Sequence, residues 1–304
     1  MFATEASSIN ELYIKAAKAI IEHGLVVSPR GYSTKEILGA SLVLKDPRQR
    51  VVTSAVRKVS PAFAVAEAMW ILSGSDDNWI YEYNPALKRF ANDGKLAGAY
   101  GPRLRRFAGR IDQLRGAFDK LQSDPDSRQA VIQIFDPATV QPDHKDIPCT
   151  IGYRFFLRNG KLHMVTTMRS QDLWLGFPYD VFTNTVMQEL MAFWLGAELG
   201  SYTHVIDSLH LYEKHFESAQ ALCGEDLNED CACEPIRIPL ESLESSNARA
   251  LLESRSSLLP RSFNDVAAMY IAQRKGEECE AQTIAQTIEG ALGTAARRWL
   301  PTQR

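Results

Sequence analysis

The stretch IGYRFFLRNGKLHMVTTMR constrains this chain more than any other part of it. Two runs of strand character flank Asn159-Gly160, the pair that most favours a two-residue antiparallel turn because both residues tolerate positive φ. Strands joined so tightly pair with each other, which puts a sheet at the centre of the fold. Around it lie helical patterns. Leu12, Ala16, Ala17, Ile20 and Ile21 recur at helical spacing over residues 8–23, with Gly24 as a stop. Residues 62–73 read as a buried helix ended by Gly74, residues 101–121 as a more polar helix, and residues 180–196 as an apolar one. VVSPRGYSTKEILGASLVL is a turn-rich loop leading into a strand, VIQIF a short strand, YTHVID a strand and SLHLYEKHFESAQALC a helix. Helices and hairpin-linked strands interleave irregularly, so the class is α+β and not a repeating βαβ series. From about Ser242 the chain turns to Ala, Glu, Ser and Arg with helical periodicity in NARALLES, VAAMYIAQ and IAQTIEGALG. Residues 242–304 are therefore expected as a helical extension packed on a domain of residues 1–241.

Composition narrows the function classes. Of 304 residues 45% are hydrophobic and 23% charged, which excludes wholesale disorder. A net charge of −3 offers no basic field to duplex nucleic acid, although a local arginine cluster can bind a phosphate. The longest apolar runs fall short of the ~20 residues that a membrane span needs. The N-terminal MFATEASSINELYIKAAKAI lacks the basic-then-apolar order of a secretory signal, so a cytoplasmic protein is expected, with neither nucleic acid nor membrane as partner. Five cysteines, Cys149, Cys223, Cys231, Cys233 and Cys279, give no disulfide framework. Cys231 and Cys233 stand too close together for a zinc knuckle, and the neighbouring GEDLNED reads as a solvated loop, so no metal is expected.

Cys149, in DIPCT directly before the hairpin, is the residue most able to do chemistry. A buried structural thiol is the bland alternative. Pro148 stiffens the approach, however, and a loop-to-strand boundary can present sulfur to a cleft. Only a thiolate is nucleophilic, so a functional Cys149 needs cationic neighbours. Arg169-Ser170, at the far end of the hairpin, can return to it by strand pairing, and a guanidinium fork beside a hydroxyl suits a phosphate.

Together these residues carry a resemblance. IPCT, MRSQDLWLGFPYDVF and DSLHLYEKH resemble the core of the thymidylate synthase family over residues 146–215. Weaker matches in SPRGYSTKEILGAS, AEAMWILSG, DGKLAGAYG and DSRQA extend it to roughly residues 10–240. The resemblance implies a large mixed sheet flanked by helices and a homodimer formed through one sheet face. It implies 5,10-methylenetetrahydrofolate as co-substrate, a pyrimidine nucleoside monophosphate as acceptor, and Cys149 as the nucleophile that adds to C6 of the base. Arg30, Arg169 and Ser170 would hold the 5′-phosphate, joined by Arg128 from the second subunit. His210 and Tyr212 would bind the sugar hydroxyls. Asp172, Tyr100 and Gly176 fall on the folate side, Asp172 binding the pterin and Tyr100 lying near the base. Glu67 would organise water and move protons. Its helix offers little polar company, and such a carboxyl has the raised pKa that acid–base work needs.

The departures from the family pattern carry the specificity. Where the family reads uracil with asparagine, this chain has Asp180. A carboxylate accepts from the N4 amino group of cytosine, whereas against O4 of uracil it sets two acceptors face to face. Asp180 therefore points to cytidylate, with CMP and dCMP both open; the competing role is an N-cap for the helix it precedes. Thr150 replaces the usual histidine, and Ala86 and Arg89 replace the tryptophans that shield the transfer step. Asp180 and Thr150 together resemble the cytidylate hydroxymethylase branch, in which water, not hydride, captures the one-carbon intermediate; lost aromatic shielding agrees with that. Gln129 removes one charge from the phosphate site, and the C-terminal segment does not match the closing tail of the synthases. A thymidylate synthase acting on dUMP and a non-catalytic nucleotide binder of the same fold are the alternatives.

Overall fold

A computed structural model describes residues 2–139, 145–227, 229–243 and 248–301. The strands are β1 (Phe2–Ala6), β2 (Leu25–Val27), β3 (Thr34–Leu44), β4 (Val131–Gln133), β5 (Thr150–Arg158), β6 (Lys161–Met168), β7 (Gln171–Asp172) and β8 (Glu198–Tyr212). They form one mixed sheet in the order β1-β3-β8-β6-β5-β4, with β2 paired to β3 and β7 to β8. The helices are α1 (Ile9–His23), α2 (Pro61–Leu72), α3 (Ile80–Tyr83), α4 (Tyr100–Arg105), α5 (Gln113–Ser123), α6 (Phe177–Leu195), α7 (Phe216–Leu222), α8 (Ala248–Glu253), α9 (Arg261–Lys275), α10 (Glu278–Thr287) and α11 (Gly290–Trp299).

The hairpin forms as the Asn159-Gly160 pair dictates, with φ of 51° and 72° at the two turn residues and Arg158 opposite Lys161. Its register then shifts by one residue between Thr150 and Gly152. That bulge decides the chemistry at the open end: Thr150 faces Met168, so the next pair outward is Cys149 with Arg169. An unbroken ladder would have set Cys149 against Ser170.

Helix α1 packs on β1, β3 and β8, helix α6 on β6 and β8, and α2 lies against α6. The α1 helix is capped by Ser8, whose hydroxyl accepts from Glu11 N–H at 3.3 Å, and it buries Leu12, Tyr13, Ala16, Ala17 and Ile20. The α2 helix starts on Ser60 with Pro61 in its first turn, and every one of its residues except Glu67 is buried. A helix apolar all round must be covered on all sides. Here α4, α6, α8, α9 and α11 cover it. The extension thus closes over the helix that carries Glu67. Among the described residues no helix is long and apolar enough to cross a membrane.

Three expectations need correction. Residues 101–121 are not one helix: Ala108 and Gly109 adopt φ of 50° and 80°, Phe107 bridges to Ile111, and Asp112 caps a new helix by accepting from Arg115 N–H at 2.9 Å. Residues 208–212 are strand, not helix, because they continue β8 against β3 as far as the Thr34–Tyr212 pair. The apolar helix expected from residue 180 begins at Phe177. GEDLNED is exposed or half-buried at its described residues, but the cysteines just past it are not. Cys231 and Cys233 are buried, and their backbones bond to Arg48 and Val51, next to the buried ion pair of Arg50 with Glu189.

Candidate active site

Six elements meet at the open end of the hairpin. Cys149 is half-buried, and its backbone N–H and that of Thr150 both donate to the Tyr100 hydroxyl at 3.2 Å. Tyr100, at the start of α4, therefore fixes the loop that presents the thiol. Arg169 answers from the opposite strand. Its N–H donates to the Cys149 carbonyl at 2.9 Å, its Nε to the Pro148 carbonyl and its Nη2 to the Ile147 carbonyl at 3.0 Å each, and Nη2 also lies 3.7 Å from Sγ. The cationic neighbour expected for the thiol is in place. Burial nonetheless outweighs it: desolvation raises the Cys149 pKa, the Asp180 and Asp146 charges push the same way, and Arg169 and Arg30 pull it down.

Asp180 lies close enough to the sulfur for its charge to act on the thiol, and it is the first of a group of carboxyls. Asp180 is not the N-cap of α6. Gly176 holds that position, and Asp180 sits one turn inside, where its Oδ2 accepts from Gln171 Nε2 at 2.8 Å. Burial pushes its pKa up to about 6, with the Gln171 hydrogen bond lowering it and the Asp172 charge raising it. Glu67 is close enough to feel Asp180. Desolvation, and then that charge, push Glu67 to about 8, and its carboxyl makes no hydrogen bond among the described residues. The pair is thus split, one acid holding its proton through neutrality and the other releasing it. Asp172 uses Oδ1 to accept from the N–H groups of Trp174 and Leu175, at 2.8 and 3.0 Å, which closes the turn into α6 and leaves Oδ2 for a ligand donor.

The third wall is the end of β8. Alternation along the strand puts His210 and Tyr212 on one face, their rings 5.4 Å apart edge to face, and Tyr32 meets Tyr212 in the same way at 6.1 Å. Tyr32 closes the loop that carries Arg30, an exposed arginine at φ 55°, and a non-glycine residue held there marks a backbone constrained for a purpose. Ser170 is half-buried beside Arg169. Arg128 is not brought into this group: it is exposed just ahead of β4 and makes no ion pair or side-chain hydrogen bond among the described residues. Ala86 and Arg89 lie exposed on a short helical turn that follows α3.

Two contributors escape a reading of the sequence. Gln171 grips Asp180, and Asp146 adds a negative charge near the thiol while accepting from Gly98 N–H at 3.0 Å. The only signal for Gln171 is its position inside Arg-Ser-x-Asp, where strand alternation turns it opposite to Asp172. Among the described residues no group of His, Cys, Asp and Glu could hold a metal.

A half-buried thiol beside an arginine, near two carboxyl groups whose pKa values are pushed apart, is an arrangement suited to nucleophilic and acid–base chemistry on an anionic substrate. The chain belongs to the thymidylate synthase family, whose model matches residues 11–238. It is also similar to the deoxyuridylate hydroxymethyltransferase of Bacillus phage SP01, 37% identical over 269 residues that cover 82% of this chain and 70% of the relative. Members of the family use methylenetetrahydrofolate and bind a nucleoside monophosphate. The chain is accordingly a folate-dependent one-carbon transferase.

Proposed function

We propose that this chain transfers a hydroxymethyl group to C5 of cytidylate, CMP or dCMP. The observation that carries the reading is Asp180. In the place where the family pattern has an amide, a carboxylate lies in the cleft, held by a side-chain amide and not used up as a helix cap. Such a group accepts from the N4 amino group and repels O4. Water as final acceptor is supported by the phage relative, named a hydroxymethyltransferase, and by the lack of large aromatic side chains at Ala86 and Arg89.

In this reading Cys149 Sγ adds to C6, which makes C5 nucleophilic. The folate, when bound, would supply a one-carbon unit at the formaldehyde level; C5 gives up its proton as it takes that carbon, and the folate nitrogen takes up a proton as tetrahydrofolate leaves. Water then adds to the exocyclic carbon, and Cys149 leaves as C5–C6 unsaturation returns. Glu67, protonated through neutrality, delivers and recovers the proton. Arg169, Ser170 and Arg30 bind the 5′-phosphate, His210 and Tyr212 the sugar, and Asp172 the pterin through its free Oδ2. Tyr100 holds the thiol loop, and Gly176 gives the folate side its close-packed turn. Arg128, exposed and without a side-chain partner among the described residues, fits a role in the site of a second copy. The half-exposed sheet face bearing Val43, Phe156, Val165 and Val205 supports a homodimer. Residues 1–241 would form the catalytic domain and 242–304 its extension, in a cytoplasmic enzyme.

Deoxyuridylate is the second reading, favoured by the printed substrate of the phage relative. Incubating the protein with CMP, dCMP and dUMP separately, each with methylenetetrahydrofolate, and weighing the products distinguishes the two. Hydroxymethylcytidylate with no rise in dihydrofolate absorbance is expected. A methylated product with dihydrofolate, or turnover of dUMP alone, would overturn the proposal.

A further inference from the structure

We propose that Gln171 sets the base selectivity of this enzyme, as a positioning residue that keeps one oxygen of Asp180 an acceptor toward the exocyclic group of the base. The inference rests on the reading of Asp180 as the base reader and names what makes it read one base.

Gln171 is 2% exposed, turned into the protein by the alternation of β7 while Asp172 faces the cleft. Its Nε2 donates to Asp180 Oδ2 at 2.8 Å and to the Asp172 carbonyl at 3.3 Å, so both amide protons are committed. Its Oε1 is buried with no hydrogen-bond partner among the described residues. Rotating the amide would satisfy nothing, since it would turn that oxygen onto the carboxylate. The orphaned acceptor is a local cost, and what it maintains is the N–H grip on Asp180. Gly176 makes the grip possible: a Cβ there would lie 2.9 Å from Gln171 Nε2 and 3.1 Å from Asp180 Oδ2. At the start of α6 the Gly176 N–H donates to the Asp172 carbonyl, so the helix has a backbone anchor there besides the Gln171 amide.

The consequence is electronic. With Oδ2 already accepting from Gln171, a proton arriving at Asp180 goes to Oδ1. An ionised Asp180 offers Oδ1 as an acceptor, which suits the N4 amino group of cytosine. A protonated Asp180 offers Oδ1 as a donor, which suits O4 of uracil. The groups that interact with the Asp180 charge are Glu67 from α2, Tyr100 from α4, Cys149, Tyr153 from β5, Asp172 from β7 and Tyr202 from β8. Burial first, and then the Asp172 charge, oppose ionisation of Asp180. The Gln171 amide is the hydrogen bond that favours it. Loss of Gln171 therefore moves Asp180 toward the form that tolerates uracil.

The test measures kcat/KM for dCMP, CMP and dUMP on the full chain, from well below to well above neutral pH, for wild type, Gln171→Met and Gln171→Glu. In Gln171→Met the cytidylate-to-uridylate ratio at neutral pH is expected to fall roughly tenfold, the worth of one hydrogen bond to a charged group. The acid limb for cytidylate moves to higher pH, and alkali restores the lost cytidylate-to-uridylate ratio. Gln171→Glu keeps the size and polarity of the site but must share a proton with Asp180, so its ratio falls in the same direction. A ratio taken within one preparation does not depend on the fraction folded, so a merely destabilised variant leaves it unchanged. A wild type that turns over cytidylate, with variants of unaltered ratio and limb, overturns the role of Gln171 alone. A wild type that prefers dUMP overturns the reading of Asp180 and the present inference with it.

Discussion

Arg169 is bound to Cys149 at two levels, its backbone N–H donating to the cysteine carbonyl at 2.9 Å and its Nη2 approaching Sγ at 3.7 Å. The first contact is a product of the hairpin register and survives any side-chain change. The second opposes the burial that raises the thiol pKa. Arg169→Gln is therefore expected to leave the fold intact and the thiol less ionised. Its alkylation by iodoacetamide near neutrality should slow by roughly tenfold, the factor that goes with one pKa unit. An unchanged rate would mean that the guanidinium does not act on the sulfur.

The split carboxyl pair makes a prediction about pH. With Asp180 near 6 and Glu67 near 8, the state with Asp180 ionised and Glu67 protonated prevails between those values. Cytidylate turnover should trace a bell with limbs near them. Asp180→Asn should abolish the acid limb, and Glu67→Gln the alkaline limb, with a loss in kcat of about 100-fold or more. Limbs that persist in both variants would assign them to other groups.

Glu67 also couples stability to pH, and the sign can be worked out. Its folded pKa of about 8 stands above its ordinary 4.5, so the folded state holds the proton more tightly than the unfolded one. Below the ordinary value both states are protonated and the shift has no effect. As pH climbs from there to 8 the folded state loses ground, and above 8 it carries the full cost of a charge in an apolar helix. Glu67→Gln removes that cost. Its melting temperature should match that of wild type near about pH 4 and exceed it by several degrees near about pH 9. Equal melting temperatures at both ends would place the carboxyl in water.

What the sequence disclosed, and what it hid, follows from the range of the forces involved. Asn159-Gly160 made the hairpin legible because a two-residue turn is a local event. Cys149, Arg169 and Asp180 could be named as candidates because their family pattern is local in sequence, and the structure brings the three together. The placement of His210 and Tyr212 on a strand was not, since SLHLY satisfies both periods and only pairing with β3 decides between them. The break at residues 106–112 depends on the positive φ of Ala108, which no propensity favours. Gln171 was hidden for a different reason. Its partner lies nine residues on, and the contact exists only once the turn through Gly176 has folded.

The extension makes the last prediction. Tyr270 of α9 stacks on Tyr83 of α3 at 4.8 Å, and its hydroxyl donates to the Glu82 carbonyl at 2.6 Å. The Glu82 carboxylate meanwhile accepts from Arg249 and Arg274 at 3.1 and 2.6 Å, both arginines lying largely in water. These two attachments are unequal. An exposed ion pair contributes at most about 1 kcal/mol, whereas truncating a buried aromatic ring costs about 3 kcal/mol or more. Tyr270→Ala should therefore destabilise the protein far more than Glu82→Gln in urea titrations. Because α8, α9 and α11 also cover α2, unfolding should remain a single transition in both variants. Two separated transitions, the first releasing the extension with activity retained, would mean that the extension does not hold the Glu67 helix in place.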